Sequence, residues 1–250
     1  RIRDRMKELR AELAAIGDEH RTRRARREHE LTVALVGYTN AGKSSLMRAM
    51  TGIEVFVADK LFATLDTTIR PLYPDTRPKV LMSDTVGFIK KLPHDLVASF
   101  KSTLDEAASA SLLLFVVDAS DPSFRSQLDV TRKVLAEVGA TDVPSLLVLN
   151  KRDRLGPDEL AALKAEYPDA FFLSTRSKDD LQALRERMMG DFESDMIDEE
   201  LRIPFTAQGV VAEIRARMRI LSEEYDAEGL TIRVRSTSEN LTAIKKKLAR

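Results

Sequence analysis

The chain has 250 residues, with 40 lysine or arginine residues and 40 aspartate or glutamate residues, so its formal net charge is zero. Hydrophobic residues make up 43% and charged residues 32%, as in globular proteins, and no apolar run is long enough to cross a membrane. Because cysteine is absent, disulfides and thiolate metal sites are excluded and a reducing compartment is favoured. Any attraction to nucleic acid must come from local patches of charge.

Residues 1–30 are predicted to form a helical arm. Arginines cluster between Arg21 and Arg27 with no acidic residue among them, which indicates either a solvated helix end or a patch that binds RNA phosphate. Because the chain begins at Arg1 inside a helical pattern, we expect a further domain before the arm. The apolar positions that repeat with heptad spacing are Ile2, Met6, Leu9, Leu13 and Ile16.

From residue 31 onward, short apolar runs alternate with helical patterns. This alternation predicts a doubly wound α/β domain with a mostly parallel sheet over residues 31–190, since buried parallel strands are continuous apolar runs. The predicted strands are Leu31–Val36, Lys79–Ser83, Leu112–Asp118, Ser145–Leu149 and Phe171–Leu173. The predicted helices are His94–Ala108, Ser123–Val138, Pro157–Tyr167 and Asp179–Met189.

An acidic stretch, residues 191–200, interrupts this pattern and is interpreted as a linker. Residues 201–250 predict a small α+β domain, which we expect to pack on the main domain because so short a unit has only a marginal core. Its predicted elements are a strand over Leu201–Phe205, a helix over Val210–Tyr225, a strand over Leu230–Arg235 and a helix over Glu239–Leu248.

The segment after the first predicted strand has the spacing of a phosphate loop. Gly37 is followed four residues later by Gly42, Lys43 and Ser44, and then by a helical pattern. Backbone N–H groups of such a loop surround a phosphate, Lys43 would reach the β- and γ-phosphates, and Ser44 would bind Mg²⁺. The residues predicted to contact nucleotide here are Gly37, Tyr38, Thr39, Asn40, Ala41, Gly42, Lys43, Ser44 and Ser45.

A second motif predicts which base is bound. Asn150, Lys151 and Asp153 follow an apolar strand, and a carboxylate at Asp153 could accept hydrogen bonds from both N1–H and N2–H of guanine. Adenine lacks this pair of donors and would leave the carboxylate unpaired, at a cost of about 1–3 kcal/mol or more. GTP and GDP are therefore predicted, and an ATP-binding protein is disfavoured. Further contacts to guanine O6 are predicted from the backbone of Ser174, Thr175 and Arg176.

The γ-phosphate and the metal are predicted to meet residues between these two motifs. Asp84 ends a predicted strand and would hold Mg²⁺ through water, while the Gly87 N–H would meet the γ-phosphate. A hydroxyl that completes the Mg²⁺ shell only while this phosphate is present would act as a switch, and Thr64, Thr67 and Thr68 all qualify chemically. The other predicted nucleotide contacts here are Phe62, Ala63, Leu65, Asp66, Thr85 and Val86.

Two residues bear on the rate of hydrolysis. The amide oxygen of Asn40 could coordinate K⁺ beside the phosphates, where other GTPases supply an arginine, or Asn40 could merely stabilise the loop turn. Phe88 follows Gly87 at a position where other GTPases orient water with glutamine, and a phenyl ring cannot do so. We therefore expect slow hydrolysis by this chain alone. A GTP-sensing module with negligible hydrolysis is the alternative to an enzyme.

These motifs together resemble the HflX-type GTPases of the Obg–HflX superfamily. The resemblance is carried by GYTNAGKSSL, LFATLD, DTVGFIKKLPHDLVASFKSTLDEA, LLLFVVDAS, NKRD and LST, and it extends over residues 1–250. It implies that Thr64 is the switch threonine, so that the predicted metal ligands are Ser44, Thr64 and Asp84 and the predicted catalytic residues are Lys43, Asn40, Thr64 and Gly87. It also implies a cytoplasmic GTPase, which we expect to be a monomer, that binds rRNA of the large ribosomal subunit and helps to split or rescue stalled ribosomes.

Overall fold

A computed structural model describes residues 30–52, 68–84, 106–194 and 196–248. Within these ranges, the chain forms a six-stranded sheet and a three-stranded sheet, both packed against helices. The strands are β1 (Leu31–Val36), β2 (Thr68–Pro71), β3 (Val80–Asp84), β4 (Leu112–Asp118), β5 (Ser145–Asn150), β6 (Phe171–Phe172), β7 (Ile197–Pro204), β8 (Arg219–Tyr225) and β9 (Gly229–Ser236). The helices are α1 (Lys43–Thr51), α2 (Phe124–Glu137), α3 (Pro157–Glu166), α4 (Lys178–Ser194), α5 (Gln208–Arg217) and α6 (Ser238–Leu248).

The larger sheet has the strand order β2-β3-β1-β4-β5-β6, and only β2 pairs antiparallel to its neighbour. Its inner strands are buried because helices cover both faces. Val33 and Leu35 of β1 pack with α1 and α4, whereas Ala34 and Val36 face the opposite side, where α2 and α3 pack. The prediction of a doubly wound, mostly parallel sheet is confirmed.

The edge strand β2 was not predicted from the sequence. It is four residues long, ends at Pro71 and pairs Thr68 with Asp84 of β3. Arg70 and Pro71 are exposed, so the segment lacks the continuous apolar run that marks the inner strands. A proline is tolerated here because an edge strand does not need every backbone N–H for pairing.

The smaller sheet has the order β7-β9-β8 with antiparallel pairing throughout. Its buried face carries Leu201, Ile203 and Ile232, which pack against Ile214 of α5 and Ile244 of α6. The prediction of a linker over residues 191–200 was wrong at the level of secondary structure, because α4 continues to Ser194 and β7 begins at Ile197. Among the described acidic residues of this stretch, Asp198 and Glu200 are exposed positions of β7.

The predicted helix over Val210–Tyr225 was also wrong in its second half. Helix α5 ends at Arg217, Met218 has an extended backbone, and Arg219–Tyr225 form β8. Hydrogen bonds from β8 to β9 and burial of Met218 in the core outweigh the local helical pattern. The N-terminal arm and most of the predicted helix His94–Ala108 lie outside the described residues, although residues 106–108 are helical. In the described ranges, no helix is both long and apolar enough to span a membrane.

Candidate nucleotide-binding site

Strands β1, β3, β4 and β5 are mutually parallel, so their carboxyl ends meet at one edge of the larger sheet. Ligands of open α/β sheets bind in the crevice at this edge. The loop of residues 37–42 leaves β1 there and leads into α1. Three polar side chains, those of Asp84, Asp118 and Asn150, end the strands β3, β4 and β5 at the same edge.

The loop after β1 lies close against the neighbouring strands. Gly37 and Gly42 have φ values of 149° and 95°. A Cβ atom at Gly37 would lie 2.1 Å from the Val116 carbonyl oxygen, and one at Gly42 would lie 2.2 Å from Nδ2 of Asn150. Because Gly42 has no side chain to cap α1, the first N–H groups of this helix are left facing the loop, an arrangement that favours anions.

Lys43 is held inside this loop. Its Nζ atom donates hydrogen bonds to the carbonyl oxygens of Gly37 and Tyr38, each at 3.0 Å, and the residue is only 6% exposed. Burial lowers the pKa of Lys43 to about 8, although the nearby charge of Asp84 acts in the opposite direction. A phosphate would supply the negative charge that this desolvated ammonium group lacks.

Ser44 and Asp84 bring two oxygen donors together beside the loop. The Ser44 hydroxyl donates a hydrogen bond of 2.6 Å to Oδ2 of Asp84, which is 3% exposed at the end of β3. Hydroxyl and carboxylate oxygens are ligands that fit Mg²⁺. Among the described residues, no cluster of three or more carboxylates or histidines could hold a metal alone. The pair of Ser44 and Asp84 leaves the remaining positions around such an ion open to other ligands.

The loop after β5 is hydrogen-bonded to the loop after β1. Asn150 is 1% exposed and donates from Nδ2 to the Ala41 carbonyl oxygen at 2.9 Å. Lys151 has a left-handed backbone with φ of 62°, and its Nζ donates to the Asn40 carbonyl oxygen at 2.8 Å and to Asp118 at 2.6 Å. The two loops that the sequence predicts for phosphate and base are thus joined directly.

Asp153, in the loop after β5, is more exposed than Asn150 and Lys151, with 35% of its side chain accessible to solvent. A hydrogen bond from the Ser174 hydroxyl holds the pKa of Asp153 below its usual value, against the effect of burial, and the Arg176 guanidinium lies 3.7 Å away. Asp180 fixes the backbone around it, because its carboxylate accepts hydrogen bonds from Arg152 and from the Ser174 N–H at 2.7 Å. Asp153 therefore presents a charged carboxylate to solvent.

The structure brings most predicted residues to one edge, but several lie outside the described ranges. Those outside are Phe62, Ala63, Thr64, Leu65, Asp66, Thr67, Thr85, Val86, Gly87 and Phe88. Thr68, one of the alternative switch hydroxyls, lies in β2. Sequence reasoning missed Asp118 and Asp180. Asp118 ends a buried apolar strand, a signal that could have identified it, whereas Asp180 gives no such signal in the sequence.

Fold and site together define a phosphate-loop nucleotide-binding domain. The family model described as "50S ribosome-binding GTPase" matches residues 32–151. Over 249 residues, the chain is 57% identical to the GTPase HflX of Gluconacetobacter diazotrophicus, with 100% of this chain and 55% of that protein covered. The GTPase HflX of Caldanaerobacter subterraneus is 36% identical over 241 residues, with 95% of this chain and 55% of that protein covered.

A solved structure shows the same fold. The GTP-binding protein from Sulfolobus solfataricus in complex with GDP matches 75% of this chain and 57% of its own, with a TM-score of 0.52 and 27% identity. The chain belongs to the HflX family. It spans about half the length of these curated relatives, 55% in both cases.

Proposed function

We propose that this chain binds GTP and GDP together with Mg²⁺ and hydrolyses GTP to GDP and phosphate. The observation that carries the proposal is the direct hydrogen bonding of the two loops, from Asn150 to the Ala41 carbonyl and from Lys151 to the Asn40 carbonyl. Ligand recognition at one loop is thereby tied to the shape of the other. A site that reads a base and its phosphates together needs this connection.

Each phosphate contact is assigned to a residue of this chain. The Lys43 ammonium, now bonded to two loop carbonyls, would turn to the β- and γ-phosphates, and Ser44 and Asp84 would hold Mg²⁺, Asp84 through water. When bound, the ion neutralises charge on the phosphate oxygens. Thr64 and Gly87, outside the described residues, are proposed to complete the metal shell and to meet the γ-phosphate.

Guanine is the proposed base. The exposed Asp153 carboxylate would accept from guanine N1–H and N2–H, and the backbone of residues 174–176 would donate to O6. The experiment is a thermal shift series with GDP, GTP and ATP, each with Mg²⁺. A nucleotide at one hundred times its Kd stabilises by about 2.7 kcal/mol, so GDP and GTP should raise the Tm by several degrees. A shift with ATP but none with guanine nucleotides would refute the proposal.

The large ribosomal subunit is the proposed partner, in the cytoplasm, with splitting or rescue of stalled ribosomes as the outcome. Membership of the HflX family and the description of the matching family model support it. Single-turnover GTP hydrolysis should be slow for this chain alone and faster for the full-length protein with purified large subunits. Fast hydrolysis by this chain that large subunits leave unchanged would contradict the partner.

Asn40 is proposed to coordinate K⁺ beside the phosphates. It is exposed, and its φ of 63° is a left-handed conformation that asparagine tolerates better than most residues. A monovalent cation there would place positive charge next to the transferred phosphoryl group. Hydrolysis should be several-fold faster in K⁺ than in Na⁺ at equal ionic strength, and Asn40→Ala should remove the difference. Equal rates in the two salts would leave Asn40 as a residue of the loop turn.

A further inference from the structure

Asp118 lies at the centre of the contact between the two loops. It ends β4 directly opposite Asn150 in the register of β4 and β5, and the residue is 9% exposed. One carboxylate oxygen accepts from Lys151 Nζ at 2.6 Å. The other accepts from the backbone N–H and the hydroxyl of Ser120, at 3.1 and 2.6 Å. Both oxygens are therefore held in place: Ser120, just after β4, binds one, and Lys151, in the loop after β5, binds the other.

The same Lys151 ammonium continues to the phosphate loop. It donates at 2.8 Å to the carbonyl oxygen of Asn40, a residue that has a left-handed backbone. Lys151 itself has a left-handed backbone, with φ of 62°. Its side chain is 15% exposed, so water can replace few of these contacts.

Asp118 pairs with this lysine as a charged carboxylate. Burial opposes ionisation of Asp118, but the hydrogen bonds from Lys151 and Ser120 prevail and hold its pKa below the usual value. The carboxylate is thus ionised at neutral pH. If it were neutral, the largely shielded Lys151 ammonium would lose its only acidic partner among the described residues, and its hold on Asn40 would weaken.

We propose that Asp118 is a positioning residue for nucleotide binding, holding Lys151 against the Asn40 carbonyl so that the phosphate loop keeps the shape that surrounds phosphate. This inference rests on the proposed nucleotide binding, which it deepens. Asp118 need not touch the nucleotide, because its effect passes through Lys151. Loss of the carboxylate should therefore speed the release of bound nucleotide without changing which base is preferred.

Asp118→Asn is the sharpest variant, since it preserves size and the acceptor for Ser120 but turns an amide toward the ammonium. The measurement is dissociation of fluorescent, ribose-labelled GDP from the folded protein, with the ratio of GDP to xanthosine diphosphate affinity as second readout. Dissociation should be at least about tenfold faster, since truncating a buried charge pair acts mainly on the dissociation rate. The affinity ratio should not change. Glu166→Gln, which removes the exposed pair with Arg125, is the matched control and should dissociate like the wild type.

A double-mutant cycle separates positioning from a merely structural role. If Asp118 acts through Lys151, the variant with both Asp118→Asn and Lys151→Met should release GDP no faster than Lys151→Met alone. The inference would be overturned if Asp118→Asn released GDP at the wild-type rate. It would also be overturned if the effects of the two single substitutions on GDP release were additive in free energy in the double variant. If Asp118→Asn does not fold, Ser120→Ala removes one hydrogen bond that orients the carboxylate, and about threefold faster release is expected. An unchanged rate in that variant would overturn the inference, whereas failure of the wild type to bind GDP would overturn the proposed function as well.

Discussion

At the carboxyl edge of the larger sheet the ion pair of Lys151 and Asp118 is shielded from water, whereas the pair of Arg202 and Asp226 on the smaller sheet is about half exposed. The side chains of Lys151 and Asp118 are 15% and 12% exposed. Arg202 and Asp226, at the smaller sheet, are 56% and 47% exposed. Both pairs have short contacts of 2.6 and 2.9 Å, so distance alone does not distinguish them.

The environment decides what each pair does. Water and salt screen an exposed pair, whose contribution to stability is small. Removing one member of a shielded pair leaves a charge without its partner, which is costly. At the edge of the larger sheet the contacts also end on loop backbone, such as the Asn40 carbonyl, so we expect a substitution there to alter the shape of the proposed binding site. Similar chemistry on the smaller sheet changes only the surface.

The largest effect is expected for Asp153→Asn. Two charge-assisted hydrogen bonds to guanine are lost, each contributing about 1.5–3 kcal/mol, so GDP affinity should fall at least about one hundredfold. The amide can donate to the C2 carbonyl of xanthine, so affinity for xanthosine diphosphate should rise. Calorimetric titration with both nucleotides checks this. Unchanged GDP affinity would remove Asp153 from the site.

Gly42→Ala should have the next largest effect. The new Cβ would lie 2.2 Å from Nδ2 of Asn150 and would break its hydrogen bond to the Ala41 carbonyl. We expect GDP affinity to fall about tenfold or more, because a buried amide loses its acceptor.

Gly139→Ala is the matched control for that substitution. Gly139 has φ of 75°, and no atom of the described residues lies within 4 Å of the added Cβ, so we expect only backbone strain of about 1–2 kcal/mol. The thermal midpoint of the Gly139→Ala variant should fall, while its affinity for GDP should equal that of the wild type. Equal losses of affinity in the two alanine variants would show that strain, not the contact with Asn150, matters.

The pKa of Lys43 predicts a pH dependence. Because this pKa is about 8 in the free protein and phosphate binds the protonated form, GDP binding takes up a proton above pH 8, and the Kd should rise by up to about tenfold per pH unit. The affinity for GDP should thus fall as pH rises, whereas the contribution of Lys43 to the stability of the nucleotide-free protein should rise. Between pH 8 and the usual pKa of 10.5, the unfolded chain binds more protons, so this group makes the nucleotide-free protein more stable as pH rises.

Fluorescence titration with GDP from pH 7 to 9 and urea unfolding over the same range measure both trends. Lys43→Arg, whose guanidinium stays charged, should bind more weakly but lose the pH dependence that is due to this residue. A Kd for wild-type GDP binding that is flat across this range would contradict the lowered pKa.

The smallest effect is expected for Asp198→Asn on the smaller sheet. The carboxylate pairs with Arg235 at 2.5 Å, and its side chain is 28% exposed, more than the 12% of Asp118. Thermal midpoint and GDP affinity should both stay close to those of the wild type. A several-fold loss of GDP affinity would show that the smaller sheet is coupled to the nucleotide site and would break the contrast between the two regions.

Local patterns in the sequence were enough to predict much of the larger sheet. Strands β1, β4 and β5 were predicted to within one residue because parallel strands covered on both faces are continuous apolar runs. The phosphate and base loops were predicted because glycine, lysine and aspartate spacing is dictated by the ligand. The roles of the site residues and the division into domains remain predictions. Local patterns failed at residues 191–225, where acidic and apolar positions suit a linker or helix as well as paired strands.

Only the tertiary structure decided how the two loops are held together. Asp118 lies opposite Asn150 because β4 and β5 pair in one register, and no periodicity along the chain encodes that register. Lys151 reaches both Asp118 and the Asn40 carbonyl from a left-handed backbone, a conformation that residues other than glycine seldom adopt. Sequence motifs identify the residues that are predicted to contact a ligand. The residues that position them are set by packing between segments far apart in the chain, which is a property of the folded molecule.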